Sequence, residues 1–459
     1  MSAGPRPADT SSYPGLKWSE SGPGTGSRSG FRPFCWLEPQ LYSGGVKRMS
    51  NNSILVVGGG FAGITAALEA AELGYEVYIV ETNPYLGGRV AQLNQYFPKL
   101  CPPSCGLEIQ FQRIKNNPNV KVITMADVAS VSGTAGNYDV KITQRPRYVN
   151  EKCTACGDCE KATGTQISSE FDFGTGSRGL AYKTHPFMFP MRYVVDAENA
   201  SESELAAIKA SCPYGAVDLE DAPKTIDLAV GAIVVATGWK PYDVSNLTNL
   251  GGGALKNVVT NMQFERLCAP SGPTNGKIQR PSDGAEPKKI AFVQCAGSRD
   301  QNHLNYCSYI CCMASLKHVR YVRERSDAAA TIYYIDLRTP GRYDKFKSIT
   351  ENDEKLSLVK GKVAGIVEDA QGNPIVTVEN ALTGIKSEET FDMVVLATGM
   401  EPSCAGLDVP AGAKDADGFV IDGEGIIAAG CAKQPFDVMK SAQSGTAAAM
   451  KAIQTVVGR

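Results

Sequence analysis

Fourteen cysteines stand in this chain of 459 residues, and eight of them fall into two sets whose spacing could hold metal. Cys153, Cys156 and Cys159 follow one another at two-residue intervals, and Cys212 comes much later, directly ahead of Pro213. Thiolates are soft ligands, and a C-x2-C-x2-C run completed by a distant Cys-Pro is iron–sulfur spacing. This set is expected to hold one [4Fe–4S] cluster, with a zinc site or a relic as the alternatives. Cys295, Cys307, Cys311 and Cys312 make the second set, spaced C-x11-C-x3-C-C. It is expected to bind a second cluster near a helix N-terminus, which favours negative charge. The competing reading is a buried group of small apolar thiols. Cys101 and Cys105 flank a Pro-Pro-Ser turn and stay open among a redox-active pair, ligands to another centre, and cysteines tolerated in a tight turn. Cys268 and Cys404 carry no chemical expectation, and Cys35 falls in an N-terminal leader.

The first set is half of a two-cluster arrangement. In bacterial ferredoxins the run C-x2-C-x2-C-x3-C-P occurs twice, and each fourth Cys serves the other half's cluster. Here the fourth position of the first run is Thr163, followed by Gly164. The three positions that should precede Cys212 are Glu202, Leu205 and Ile208. One cluster's ligands are therefore gone and one complete set remains.

Such centres need a scaffold, and the apolar run Ile54–Val57 begins it. A turn, Gly58-Gly59-Gly60-Phe61-Ala62-Gly63, leads into a small-residue helix, and a second run, Val77–Val80, ends on Glu81. Gly58 permits the turn, Gly60 lets backbone approach a diphosphate, and Gly63 lets the helix pack on its strand. Glu81 is placed to accept hydrogen bonds from an adenosine ribose, which favours FAD or NAD over NADP. Gly87-Gly88-Arg89 follows, a backbone and a cation suited to a diphosphate, and tips the cofactor to FAD. Val120–Ile123 reads as the next strand, with Val128 at the backbone edge that holds adenine. Ala232–Gly238 and Val394–Gly399 each read as a buried strand ending in Ala-Thr-Gly, the first including Ala236, Thr237 and Gly238. Ile426–Gly430 and helix Ser441–Val456 close the domain around the flavin's ribityl chain. That strand ends Gly430-Cys431 where Gly-Asp is usual, so Cys431 should lie near the flavin while the ribityl contact weakens.

A second βαβ layout runs from Lys288–Val293 through a helix at about Ser308–Arg325 to Thr331–Asp336. Its first turn reads Gln294-Cys295-Ala296-Gly297-Ser298-Arg299 instead of a glycine loop, so nicotinamide binding is expected to be weak or absent. Cys307, Cys311 and Cys312 fall at the start of its helix. The segment Phe171–Arg192 is rich in aromatics, Arg and Lys without a period. It reads equally as a loop over the cluster or a partner contact, and as a satellite of core aromatics.

The fold class expected is α/β: two dinucleotide-binding, Rossmann-like domains of the flavoprotein disulfide reductase type with an inserted ferredoxin-like α+β domain. The boundaries are a Ser-, Gly- and Pro-rich disordered leader at 1–48, FAD-binding parts at 49–145, 223–285 (with a linker) and 391–459, the insert at 146–222, and a degenerate NAD-like domain with its cysteine cluster at 286–390. Met49 is the expected natural start. The net charge of −2 argues against a nucleic-acid role, and no apolar run is long enough to cross a bilayer. The longest, around Leu228–Thr237, reads as one buried strand. The cysteine usage suggests a reducing, cytoplasmic setting.

The Gly58 turn, Gly87-Gly88-Arg89, the segment 97–105 (FPKLCPPSC), the insert, and the motifs VQCAGSRD (293–300) and YCSYICCMAS (306–315) together resemble the A subunits of heterodisulfide reductases. The likeness covers Met49 to Arg459. The short form is similar to the A subunits of quinone-interacting membrane-bound oxidoreductases of sulfate-reducing bacteria. That resemblance implies FAD, iron–sulfur clusters including one on Cys295, Cys307, Cys311 and Cys312, a related flavoprotein B subunit, and also a haem-bearing membrane C subunit. It further implies electron transfer between menaquinone and adenylylsulfate reductase, on the inner face of the cytoplasmic membrane. Two alternatives stand beside it: a ferredoxin- or NAD(P)H-dependent reductase like the small subunit of glutamate synthase, and a non-catalytic electron relay.

Overall fold

The computed structural model describes residues 52–404 and 414–458. The expected leader at 1–48, Met49 as start and Cys35 lie outside the described residues.

Strands buried on both faces must be apolar throughout, and Ile54–Val57, Val77–Glu81 and Ala232–Val235 are buried at every position. They form the centre of a five-stranded parallel sheet in the order Ile426–Ala428, Ala232–Val235, Ile54–Val57, Val77–Glu81, Val120–Thr124. Because side chains alternate along a strand, Ile54, Val56, Ile79 and Val234 face one core and Leu55, Val57, Val80 and Val235 face another. The first core is closed by helices Phe61–Glu72 and Val438–Val456, whose Ala and Gly residues let them pack directly on each other. A three-stranded antiparallel sheet, Lys224–Val230, Asn137–Gln144 and Ala126–Thr134, covers the second.

The run around Leu228–Thr237 is two strands rather than one. Lys224–Val230 belongs to the antiparallel sheet and Ala232–Val235 to the parallel one. Gly231 is the break, its N–H donating to Ser53 and its carbonyl accepting from Gly136. Hydropathy sees continuous apolar residues because both strands are buried, and it does not see the change of sheet.

The second sheet has seven strands, in the order Val258–Thr260, Met393–Thr398, Lys289–Ala296, Ala329–Tyr334, Leu356–Glu368, Pro374–Asn380, Lys386–Thr390. Helix Cys311–Arg325 covers one face through Met313, Leu316, Val319 and Val322. It begins three residues later than expected, and the following strand is Ala329–Tyr334. Met393–Thr398 and Val258–Thr260 pair within this sheet, whereas the expected boundaries assigned both to FAD-binding parts. The chain returns only after Thr398, where Met400–Pro402 pairs antiparallel with Trp239–Pro241. Both Ala-Thr-Gly segments thus end in one two-stranded link between the sheets.

Residues 146–222 form short hairpins and one helix, Glu202–Ala210, started by a Ser201–Glu204 capping box. They have a small core of their own, including Val149, Leu180, Tyr193, Ile208 and Val217. Part of Phe171–Arg192 leaves that core: Phe171 and Met188 are buried in the first core of the parallel-sheet domain. His185 stands among Tyr85, Phe171 and Phe187, and burial pushes its imidazole down to about 3, so it is a neutral aromatic member of that packing. The aromatic-core reading therefore describes Phe171, His185 and Phe187.

A Cβ at Gly63 would run into the Gly58 carbonyl oxygen and approach Ala236. Gly63→Ala is expected to destabilise the protein by about 1–3 kcal/mol, as overpacking does. The midpoint of urea unfolding measures it, and an unchanged midpoint would show that the helix has room to retreat.

Candidate functional site

Gly58 sits at φ +105, a conformation that side chains resist, and turns the chain from the first strand into the helix whose N-cap is Gly60. No side chain caps that helix, so its first N–H groups remain available. Gly87 donates to Gly59, and Gly60 bridges Gly87, which presses the Gly-Gly-Arg turn onto the first glycine turn. The two turns form the floor of a cavity of about 1450 Å³. This exceeds the volume of ordinary small-molecule pockets, about 300–1,000 Å³.

Of the residues expected to bind cofactor, Gly58, Gly60, Phe61, Ala62, Glu81, Gly88, Arg89, Val128, Ala236, Thr237, Gly238 and Cys431 all line this cavity. Gly63 and Gly430 do not: both lie behind the wall, where Gly63 meets Gly58 and Gly430 meets Ala62. Glu81 is 6% exposed, and its carboxylate accepts from the N–H of Gly59 at 2.7 Å and from both nitrogens of Asn83. Burial raises its pKa, and those donors only partly offset the rise. Arg89 donates to the Trp239 carbonyl at 3.0 Å and to Gln92, so its guanidinium is held at the wall. Cys431 is buried, and burial pushes its thiol up to about 11, so the sulfur is a neutral neighbour and cannot replace a carboxylate. A carboxylate does reach the wall from Asp437, which caps the closing helix by accepting from Lys440 at 2.7 Å. Nothing in the local spacing pointed to Asp437, because its role in the cavity depends on where the helix starts.

Cys153, Cys156, Cys159 and Cys212 surround a second cavity of about 20 Å³ with Val149, Tyr193, Ala216 and Val217. The N–H of Ala155 donates to the Cys153 sulfur and that of Ala216 to Cys212. Burial pushes Cys212 up, but the N–H groups of Ala216, Tyr214, Val217 and Gly215 outweigh it and leave the thiol below its ordinary value. Cys159 is pushed up to about 11 by burial and then by the charges of Cys153, Cys156 and Cys212. Converging sulfurs with N–H donors in an apolar pocket fit an iron–sulfur cluster. Among the described residues no three His, Cys, Asp or Glu are grouped tightly enough to hold a single ion.

The second set also converges. Burial raises the Cys311 thiol, and the charges of Cys312, Cys295 and Cys307 raise it further. Cys311 and Cys312 open their helix, whereas Cys307 lies in the preceding loop and accepts from the N–H of Tyr309. Cys295 near the end of its strand, and Arg299 and Tyr309 in this loop, hold positive φ, a strained backbone that the surrounding fold must enforce. Gly297 is packed against the Tyr242 ring, where a glycine-rich phosphate turn would leave space. This donor set too suits an iron–sulfur cluster, and the turn does not suit a dinucleotide.

A family profile described as FAD dependent oxidoreductase matches residues 53–100. The chain is 38% identical over 417 residues to an iron–sulfur A-type component of the CoB–CoM heterodisulfide reductase of Methanopyrus kandleri, covering 87% of this chain and 63% of that protein. It is 36% identical over 424 residues to the A-type component of the ferredoxin/F420H2-dependent CoB–CoM heterodisulfide reductase of Methanosarcina acetivorans, covering 88% and 53%. Over nearly nine tenths of its own length the chain is similar to A subunits of heterodisulfide reductases. It spans about half to two thirds of the length of these curated relatives. Among solved structures, the thioredoxin reductase of Lactococcus lactis in its FR conformation matches with TM-score 0.50 at 12% identity, covering 89% of this chain and all of that one. That likeness shows the fold, two dinucleotide-binding domains of the flavoprotein disulfide reductase type.

One group in this chain has no signature in the sequence. Glu265, Lys317 and His318 line the large cavity yet are almost wholly buried. Glu265 accepts from Lys317 at 2.7 Å and from His318 at 2.6 Å through one oxygen, and from the Asn94 N–H at 2.9 Å through the other. Burial would push this carboxyl up, but the Lys317 ammonium and then His318 hold it at about 2. Burial lowers His318, so the ring is neutral and its Nε2–H donates. Lys317 spends a second N–H on the Gln95 carbonyl at 2.7 Å. Residues 265 and 317 are far apart in sequence, so no local motif announces the pair.

The folded pKa of Glu265 lies below its unfolded value of about 4.3, so its stabilisation is present above that pH and lost as pH falls toward 2. The lowered His318 adds a loss of stability below about pH 6.5. Glu265→Gln is expected to cost about 3–5 kcal/mol at pH 7, because it strands the Lys317 charge. It should also flatten the acid limb below about pH 4.3. Urea unfolding of both proteins across pH measures this, and parallel pH curves would refute it.

Proposed function

We propose that this chain is the FAD- and iron–sulfur-bearing electron-transfer subunit of a multi-subunit oxidoreductase. Its working ends are membrane menaquinone and a cytoplasmic acceptor such as adenylylsulfate reductase. The supporting observation is one of adjacency. Cys159 is followed by Glu160, and Cys311 is preceded by Ile310; both neighbours line the large cavity. Each thiol set therefore begins one residue, about 3.8 Å along the backbone, from the cavity wall. Tyr193, at the first set, donates to Glu160 at 2.6 Å and ties the two cavities together.

In this reading the Gly58–Ala62 turn, Gly88 and Arg89 hold a diphosphate, Glu81 holds the ribose, and Val128 borders the adenine. Ala236, Thr237, Gly238 and Cys431 shape the opposite wall, with Gly430 packed behind it against Ala62. These residues would hold FAD, which would supply chemistry that handles electrons both in pairs and singly. Cys153, Cys156, Cys159 and Cys212 hold one [4Fe–4S] cluster, and Cys295, Cys307, Cys311 and Cys312 hold the second.

Partner subunits follow from the relatives, whose names describe them as subunits. A flavoprotein B subunit with a haem-bearing membrane C subunit would bring the chain to the inner face of the cytoplasmic membrane. Among the described residues no helix is long and apolar enough to cross a membrane. The packed Cys295–Arg299 turn weighs against a nicotinamide-linked reductase.

Anaerobically purified protein is expected to contain about eight iron and about eight acid-labile sulfide per FAD, as two cubanes require. Cys156→Ser and Cys312→Ser should each remove about half of the iron and one of the EPR signals of the reduced protein. A wild-type content of about four iron per FAD would eliminate the second cluster, and reduction by NADH or NADPH alone would overturn the electron-transfer reading in favour of a pyridine-nucleotide reductase.

A further inference from the structure

Among the described residues, the carboxylates buried on the wall of the large cavity are Glu81, Glu265 and Asp437. Glu81 and Glu265 have both oxygens taken by protein donors. Asp437, 4% exposed, spends one oxygen on the Lys440 N–H at 2.7 Å, which caps helix Val438–Val456. No donor of the described residues reaches its other oxygen, and that oxygen is not sealed in protein, so it opens onto the cavity. Cys431 fixes where this happens. Its thiol donates to the Phe436 carbonyl at 3.5 Å and lies 3.8 Å from the Ser441 hydroxyl, which holds the strand end against the first turn of the helix. Phe436 directly precedes Asp437, so the carboxylate comes to the stretch of wall where the usual Gly-Asp ending would place one.

We propose that this second oxygen of Asp437 accepts a hydrogen bond from a ribityl hydroxyl of FAD, so that the contact missing from the strand end is made from the helix N-cap. The inference rests on the reading of the cavity as an FAD site. A cap needs one acceptor oxygen, and serine or asparagine serves about as well as aspartate. The second oxygen therefore has no part in the cap. Once a ligand fills the cavity and excludes water, an acceptor left there without a donor would cost free energy. The helix N-terminus stabilises a carboxylate at this position, and a charged acceptor makes a stronger hydrogen bond than a neutral one. Cys431 cannot make the contact itself, because its proton is given to Phe436 and a neutral sulfur is a weak acceptor.

The probes are FAD and its monodeoxyribityl analogues, each lacking one ribityl hydroxyl, titrated into the flavin-depleted whole protein with flavin fluorescence giving Kd. One analogue is expected to bind about tenfold to a hundredfold more weakly than FAD, the loss of one hydrogen bond to a charged group. Asp437→Ser keeps a capping oxygen and should lose FAD affinity by a similar factor, while binding FAD and that analogue alike. Asp437→Asn, which also caps the helix, is the second variant where the serine form does not fold. Wild-type protein that binds every analogue as tightly as FAD would overturn the proposal, and so would a discrimination that persists undiminished in the variants. Wild-type protein that takes up no FAD at all would remove the FAD reading and this inference with it, so the two failures are told apart. No readout depends on activity, and the wild-type comparison requires no variant to fold.

Discussion

The contact between two tight turns governs this molecule. Gly58 turns against the backbone of Ala236, and the Gly87–Arg89 turn is hydrogen-bonded to Gly59. Side chains cannot enter either contact without pushing the first helix from its sheet. The helix N-terminus, the Glu81 carboxylate and the Arg89 guanidinium consequently converge on one cavity, whose polar wall comes from backbone donors as much as from side chains. Fixed backbone dipoles need little reorganisation when an anion arrives, so this floor favours a diphosphate.

The second domain repeats the strand–turn–helix plan with different contents. Its turn keeps backbone strain at Cys295, Arg299 and Tyr309, but the ring of Tyr242 fills the approach to Gly297. A helix N-terminus that could have faced phosphates carries two cysteines in its first turn. The same electrostatic preference for negative charge suits thiolates as well as phosphates. Helix Cys311–Arg325 also supplies Ala314, Lys317 and His318 to the large cavity, so the cysteine set and the cavity wall share one rigid element.

Residues 146–222 carry the other cysteine set and also part of the cavity lining. Asp172 accepts from Arg266 at 2.8 Å and Phe171 accepts from Gln92 at 3.0 Å, which anchors the segment to both larger domains. Arg266 is 1% exposed and also stacks over Phe171, so the guanidinium side of this ion pair is buried. Such anchoring leaves little freedom for the first cysteine set to drift from the cavity.

The sequence alone determined the elements whose signal is local. The Gly58 turn, Glu81 at the end of the next strand, and the Cys153–Cys159 run were legible because local spacing, not distant packing, specifies them. Tertiary structure decided whatever depends on elements far apart in the chain. The division of Leu228–Thr237 between two sheets, the place of Met393–Thr398, the Glu265–Lys317–His318 group and the arrival of Asp437 at the cavity are of this kind. Hydropathy reports burial without naming the neighbour, and a buried ion pair spanning 52 positions leaves no periodic trace.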